Sequence, residues 1–313
     1  EYKQSDKPLI CVGTSMGGVI TRKALKEMEI EPSNHHCTSL FVSHDSPHRG
    51  AHIPMGIQSI LAFASNVLPE VANLQQATLL RPATKQLLLQ QYHPYNNWHD
   101  NFQVSLDALG MPGDCKNISV VNGSVTGIPL EEVQSGQFLL NYECDGNIGG
   151  ILNNDVVRME IVAWPGDDNH PDAIEGGSVL SRFRFTQEYG ENGCETPACE
   201  HNHNFQLITN GILNYDVMPG GFRTTIGDLI SQFNPIIEAE GCPPIQSWQY
   251  EGKHCFIPSY SALGMSDYFA FDNLQEVLIQ NPDASVFDDY YASNNNQQHS
   301  FFDASMGDWL RSQ

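Results

Sequence analysis

The stretch LICVGTSMGG, residues 9–18, decides the fold class of this chain. Its first four residues are apolar and predict a short buried strand. From Val19 to Met28 apolar residues recur at helical spacing, and charged residues occupy the other face. The stretch therefore predicts a unit of strand, tight turn and helix.

Further apolar segments extend this pattern. Residues 38–43 predict a second strand and residues 117–123 a third, while residues 53–110 show helical spacing with an unusually apolar start. Two strands joined by a helix form a parallel pair with a right-handed crossover. The alternation of strand and helix predicts an α/β fold.

The composition changes after the third strand. Residues 126–250 are rich in Gly, Asn, Asp and Pro, and polar and apolar residues alternate at 156–164 and 179–189. Such alternation predicts two antiparallel strands. We therefore expect a core in residues 1–125, a β-rich insertion at 126–250 and the remainder of the core at 251–313, which closes with a helix.

The chain of 313 residues is strongly acidic, because 15 Lys and Arg stand against 37 Asp and Glu, giving a net charge of −22. Nucleic acids and anionic membrane surfaces are polyanions, so the charge argues against both as partners. Hydrophobic residues make up 40% of the chain, which is enough for a packed core. No apolar stretch approaches the ~18 residues that a transmembrane helix needs, so we expect no membrane-spanning segment.

Eight cysteines are present. An even number in an acidic, Asn- and Gly-rich chain fits an oxidising compartment and predicts a secreted protein with some disulfides. Cys194 and Cys199 favour a local disulfide, although with His201 and His203 they also offer two thiolates and two imidazoles for zinc. The first residues show no signal peptide, from which we expect a processed or incomplete N-terminus.

The segment Gly13-Thr14-Ser15-Met16-Gly17 matches the pattern G-x-S-x-G between a strand and a helix. In that setting the turn exposes the serine hydroxyl as a nucleophile, and small residues allow strand and helix to approach. The backbone N–H of Met16, at the helix N-terminus, would face an oxyanion formed at Ser15. A phosphate-binding or merely tight turn is the alternative.

This arrangement resembles bacterial lipases and esterases of the α/β-hydrolase superfamily. The chain reads strand-GTSMGG-helix and then strand-SHDSPHRGA, where relatives carry a TPHxG segment that corresponds here to residues 46–50. Residues 256–263, FIPSYSAL, resemble the VPxxSA stretch of the family. The resemblance covers about residues 8–125 and 254–312 and leaves out the insertion.

The resemblance implies an α/β-hydrolase-type parallel sheet with helices on both faces. It also implies a helical lid, which would fall at about residues 51–110, beside the β-rich insertion. Relatives carry further strands before the strand of the nucleophile, whereas few residues precede that strand here. An unpaired edge would expose apolar faces, so we expect an absent or separate N-terminal segment that completes the sheet.

A serine nucleophile needs a base, and the base needs an acid that orients it. The family places its histidine just before the last helix, which implies His299. Some relatives place the acid at the end of the strand after the nucleophile, which implies Asp45. Asp216, Glu251 and Asp267 remain alternatives for the acid.

The apolar residues of the first predicted lid helix indicate a greasy acyl or polymer substrate, with ordinary core packing as the alternative. These candidate substrate-binding residues are Ile57, Ile60, Leu61 and Phe63.

The sequence thus predicts a secreted serine esterase or lipase that hydrolyses carboxylic esters through a Ser15-His299-Asp45 triad and an acyl-enzyme. Its expected partner is an ester or lipid-like substrate, and neither a metal nor a cofactor is predicted. A catalytically inactive hydrolase-fold subunit, used for binding or assembly of a secreted complex, is the alternative, since fold does not fix function. Acyl transfer or amide hydrolysis on the same triad is a third hypothesis.

Overall fold

A computed structural model describes eleven stretches of the chain. They are residues 7–31, 35–65, 69–92, 97–130, 138–146, 155–162, 178–186, 205–209, 215–239, 243–249 and 252–313.

A four-stranded parallel sheet forms the centre of the fold, in the order β1-β2-β3-β10. Its strands are β1 (Leu9–Thr14), β2 (Thr38–His44), β3 (Lys116–Val121) and β10 (Asp289–Ala292). The three strands predicted from the sequence are all present, and the fold belongs to the general α/β class.

Helices connect these strands. The first helix joins β1 to β2, and four helices lie between β2 and β3, as the apolar spacing of residues 53–110 predicts. The helices are α1 (Met16–Ile30), α2 (Met55–Ala64), α3 (Pro69–Ala77), α4 (Pro82–Leu87), α5 (Trp98–Leu109), α6 (Thr225–Ala239), α7 (Ser259–Ala262), α8 (Leu274–Gln280) and α9 (Ala304–Arg311). Among the described residues, none of these helices has both the length and the apolar character needed to cross a bilayer.

Helices pack on both faces of the parallel sheet. Successive side chains of a strand point to opposite faces. Accordingly, Phe41 of β2 packs with Leu25 of α1, whereas its neighbours Leu40 and Val42 pack with Met306 of α9. All five side chains are buried, so the sheet is the middle layer of three.

Strand β1 departs from the expected burial. Within the part of the chain that the structure describes, it pairs with β2 alone, and Ile10 and Val12 are 64% and 61% exposed. An apolar run predicts burial only where another element covers it. Here the outer edge of β1 and the face that carries Ile10 and Val12 are uncovered by described residues.

A second sheet lies in the predicted insertion and is antiparallel, in the order β4-β5-β6-β7. Its strands are β4 (Phe138–Gly146), β5 (Asp155–Val162), β6 (Ser178–Thr186) and β7 (Phe205–Thr209). Both predicted strands are therefore confirmed as β5 and β6, and their register places Glu160 opposite Arg182.

The core resumes earlier than the predicted boundary at residue 251. Strand β8 (Gly220–Arg223) pairs antiparallel with β9 (His254–Pro258), and the buried Met218 packs in one cluster with Ile257. Helix α6 also lies within the range predicted to be β-rich. Composition could not predict this boundary, because the β8–β9 pairing joins residues more than 30 positions apart.

The described cysteine side chains are thiols. Cys11, Cys37, Cys115 and Cys255 are free. Burial, reinforced by the carboxylates of Asp45 and Asp216, raises the pKa of Cys255. The proposed Cys194–Cys199 disulfide, with its zinc alternative, lies outside the described residues.

Candidate active site

Ser15 occupies the turn between β1 and α1 in a strained backbone conformation, with φ 56° and ψ −133°. Its N–H donates to the carbonyl of His44 at 2.9 Å, which ties the turn to the end of β2. Strand and helix touch closely here, because a Cβ built on Gly13 would lie 2.5 Å from the Cα of Gly18. Gly17, expected to be small for the same reason, has open space around it.

His299 lies in the loop before α9, where the sequence predicts the base. Its backbone N–H donates to the carbonyl of Phe222 at 2.8 Å, so strand β8 holds the loop in place. Its Nε2 is 2.9 Å from the hydroxyl oxygen of Ser15. The imidazole is thus within hydrogen-bond reach of the nucleophile.

Asp45 completes a chain of three side chains. It follows β2, and its Oδ2 is 2.7 Å from His299 Nδ1. A carboxylate only accepts, so Nδ1 donates to Asp45, and Nε2 is then placed to accept a hydrogen bond from the Ser15 hydroxyl. Asp45 is fully buried and His299 nearly so, whereas Ser15 is partly exposed. The Ser15 hydroxyl is therefore reachable from solvent, while the side chains of His299 and Asp45 are shielded from it.

Two residues that sequence reasoning missed hold Asp45 in place. The backbone N–H of Asn122 donates to Asp45 Oδ1 at 3.2 Å, and its side-chain Nδ2 donates to the carbonyl of Phe301 at 2.8 Å. A Cβ on Gly221 would lie 2.2 Å from Asp45 Oδ2. Asn122 lies at the end of a strand that the sequence predicts, which indicates a position at the same edge of the sheet as Asp45. Gly221 lies in the predicted insertion, and no sequence pattern indicated that it belongs to the site.

Backbone strain concentrates at this site. Five described residues other than glycine have positive φ, and three of them are Ser15, Asp45 and Ser300. Such conformations cost on the order of 1–3 kcal/mol each and persist where surrounding contacts over-determine them. The hydrogen bonds of the Ser15 turn and of the His299 loop supply those contacts here.

The alternative acids lie elsewhere. Asp216 is buried and its Oδ1 is 2.6 Å from His52 Nε2, so it belongs to a second His–Asp pair. Asp267 is exposed at the start of a short 3₁₀ helix, Asp267–Phe269. Glu251 lies outside the described residues. Among the described candidates, Asp45 is the carboxylate that contacts His299.

Three other buried histidines of the described part have lowered pKa values. Burial lowers the pKa of His254 to about 4, with the nearby His52 acting in the same direction. Burial likewise lowers the pKa of His44, which precedes Asp45, and that of His48. Burial thus disfavours the charged form of all three rings.

Met16 begins α1, directly after the nucleophile. The first N–H groups of a helix have no intrahelical acceptor, so the N–H of Met16 is available to a ligand. The helix dipole favours negative charge at the same point. The helix N-terminus thus offers a backbone donor next to Ser15.

A cavity of about 390 Å³ opens beside Ser15. Its described lining is mostly apolar and includes one charged residue, Arg81. The lining residues are Ser15, Met16, Pro47, Ala51, Ile53, Thr78, Leu79, Arg81, Ala83, Thr84, Leu87, Leu88, Phe256 and Ile257. A second apolar cavity of about 660 Å³ between α1, α4 and α5 shares Met16, Ala83 and Leu87 with the first.

Ile57 and Leu61, two of the candidate substrate-binding residues of α2, are not among the described lining residues of these two cavities. Ile57 and Leu61 are buried in the protein interior, which matches the core-packing alternative. The side chains of Ile60 and Phe63 lie outside the described part of the structure. The apolar wall near Ser15 instead comes from α4, β9 and Ile53.

One cluster in the described part has ligand-type side chains. Glu29, His36 and Asp114 place ligand atoms within 4.8 Å of one another. The Glu29 carboxylate already accepts hydrogen bonds from Lys26 and from the N–H groups of Gly113 and Asp114. These bonds outweigh burial and lower the pKa of Glu29 to about 2. A carboxylate saturated by donors accounts for the cluster without a metal ion.

No family model, curated protein or solved structure matches this chain. We therefore infer the function from the residues and geometry of the site.

Proposed function

We propose that this chain is a serine hydrolase of the α/β-hydrolase type that cleaves carboxylic esters. The observation that carries the proposal is the continuous hydrogen-bond chain from Ser15 through His299 to Asp45, with distances of 2.9 and 2.7 Å. A nucleophile, a base and an orienting acid in that geometry are the parts that acyl-enzyme chemistry needs.

Each residue has a defined role in the proposed reaction. Ser15 Oγ attacks the ester carbonyl carbon while its proton passes to His299 Nε2. The carbonyl oxygen becomes an oxyanion that accepts from the N–H of Met16. The tetrahedral intermediate collapses as His299 returns the proton to the departing alcohol, which leaves the acyl group on Ser15.

Hydrolysis of the acyl-enzyme repeats the same steps with water. His299 takes a proton from the water as its oxygen attacks the acyl carbon, and then protonates Ser15 Oγ as the acid product departs. Asp45 keeps the Nδ1 proton in place and stabilises the imidazolium in both half-reactions. Carboxylic ester and water are thereby converted into acid and alcohol.

The surroundings of Ser15 support an ester or lipid-like substrate. The cavity next to the nucleophile is mostly apolar, and its volume of about 390 Å³ is in the range of small-molecule sites. The alternative of a non-catalytic binding or assembly scaffold calls for Ser15 and His299 beyond hydrogen-bond reach, or for a plugged site. The contact between them and the open cavity favour the enzyme.

The uncovered edge of β1 supports a further proposal on assembly. Unpaired backbone groups at a sheet edge pair readily with another strand, and the exposed Ile10 and Val12 offer that strand an apolar neighbour. We therefore propose that a further strand, from outside the described residues, pairs with this edge and completes the sheet. Secretion remains a proposal that depends on the acidic composition and the cysteine count.

A covalent probe tests the proposed function. The intact protein is treated with a fluorophosphonate, and the labelled residue is mapped by mass spectrometry. We expect labelling at Ser15 that is lost in His299→Ala and retained in His35→Ala, a control at an exposed histidine. A folded protein that takes up no label would overturn the proposal. Paired ester and amide substrates, with and without an acceptor alcohol, separate ester hydrolysis from amide cleavage and acyl transfer.

A further inference from the structure

The 390 Å³ cavity beside Ser15 combines an apolar lining with a single charge. Arg81, which precedes α4, is the charged residue among its described lining residues, and no Asp or Glu lines it. This is unexpected in a chain with a net charge of −22, where carboxylates outnumber cations by more than two to one. The cavity therefore has a positive charge within a strongly acidic protein.

Among the described residues, the Arg81 side chain forms no ion pair that would account for its charge. The ion pairs of the described lysines and arginines involve Lys23, Lys26, Arg49, Lys116 and Arg311, and not Arg81. No hydrogen bond of its guanidinium is found among the described residues, and its side chain is exposed. Five N–H donors thus remain for a ligand at the cavity that contains the nucleophile.

The chemistry of the proposed reaction indicates which part of a substrate lies here. After the first half-reaction the acyl group is bonded to Ser15, so it occupies the cavity that Ser15 lines. The leucines at 79, 87 and 88 and Phe256 suit an apolar chain, and a guanidinium suits an oxyacid, which it binds with two parallel hydrogen bonds.

We propose that Arg81 makes this cavity selective for acyl groups that carry an anionic oxyacid, a carboxylate or a phosphate, at the end of an apolar chain. This inference rests on Ser15 being the nucleophile of an ester hydrolase. Local attraction to Arg81 offsets the repulsion that the acidic protein exerts on an anionic substrate.

The test compares esters that share a leaving group and differ at the far end of the acyl chain. The p-nitrophenyl esters of hexanoic acid, of adipic acid with its second carboxylate free, and of a phosphono acid of equal length serve as probes. We expect kcat/KM for an anionic ester to exceed that for the neutral ester by about fivefold, since an exposed charge pair contributes modestly. The carboxylate and phosphono esters show which oxyacid is preferred.

Variants assign the preference to Arg81. In Arg81→Gln the ratio of anionic to neutral kcat/KM falls to one or below, and in Arg81→Glu it inverts. Lys116→Gln, which removes one charge at the start of β3, keeps the wild-type ratio. Added salt lowers the wild-type ratio because the pair is exposed.

The outcomes separate this inference from the proposed function. A wild-type ratio of one, or a preference that survives Arg81→Gln, overturns the role of Arg81 while labelling of Ser15 and hydrolysis of the neutral ester leave the esterase proposal intact. If Ser15 is not labelled and none of the esters is hydrolysed, both the esterase proposal and the role of Arg81 are overturned.

Discussion

Asp45 Oδ2 lies 2.7 Å from His299 Nδ1, although the two residues are 254 positions apart in the chain. Asp45 leaves the end of β2, and His299 precedes α9 in the loop that follows β10. The carboxyl ends of neighbouring parallel strands meet at one edge of the sheet, and ligands of open α/β sheets bind at that edge. Asp45 and His299 therefore meet at the carboxyl edge of the sheet, where loops from distant parts of the chain lie side by side.

Replacing Asp45 by Asn tests the role of this pair. An amide keeps the shape but can donate to Nδ1, which favours the wrong tautomer of His299. We expect kcat to fall by roughly 10³–10⁴-fold, as in other triads of this geometry. Asp216→Asn is the matched control, because it changes the other buried His–Asp pair, and kcat of its folded fraction is expected to stay far above that of Asp45→Asn. Equal losses in the two variants would contradict the assignment of the acid.

Gly221→Ala tests how tightly strand β8 holds the acid. The added methyl would lie 2.2 Å from Asp45 Oδ2, so the carboxylate must move away from its position beside His299. A displacement of this size in a catalytic group costs up to about a hundredfold in rate. We expect kcat to drop by ten- to a hundredfold, measured with a p-nitrophenyl ester. Gly252→Ala, whose methyl meets nothing within 4 Å, should match the wild type.

Ser15→Gly is expected to stabilise the protein as it abolishes activity. Glycine adopts a positive φ at no steric cost, whereas Ser15 adopts φ 56° under strain. We predict a free energy of unfolding about 1 kcal/mol higher than that of Ser15→Ala, which also lacks the hydroxyl but keeps Cβ. Urea unfolding of the two variants measures the difference. If Ser15→Ala proves as stable as Ser15→Gly, the turn holds no strain.

We expect the buried His254 to make the folded protein less stable in acid. Burial lowers its pKa in the folded state to about 4 from an ordinary value of 6.5, with His52 and Arg223 lowering it and Asp216 raising it. Between about pH 4 and pH 6.5, His254 binds a proton in the unfolded chain but not in the folded chain. The contribution of the neutral His254 to the free energy of unfolding is fully present above pH ~6.5. It is lost towards pH ~4, by up to about 1.4 kcal/mol per pH unit.

Urea unfolding across this pH range, for the wild type and for His254→Gln, measures the effect. The glutamine takes up no proton, so we expect the free energy of unfolding to fall less steeply with acid in the variant. His35→Gln serves as the control for losing a histidine at an exposed position. A slope in His254→Gln identical to that of the wild type would show that the imidazole is not the group responsible.

The sequence by itself determined the elements that carry the site. Strand β1, the Ser15 turn and α1 follow from apolar spacing and two glycines, because these patterns act over a few residues. The antiparallel β5 and β6 follow from alternation in the same way. His299 and Asp45 were identified by their positions in a resemblance, whereas the choice of Asp45 over Asp216 stayed open.

Tertiary structure shows which of the two carboxylates contacts His299, and it determines what surrounds Ser15. Asp216 and Asp45 both pair with a histidine, and only packing separates His52 from His299. The cavity wall comes from α4 and β9 rather than from Ile57 and Leu61, which point into the core. Local periodicity specifies which residues are apolar, but contacts between distant segments determine which apolar face meets the core and which lines a cavity.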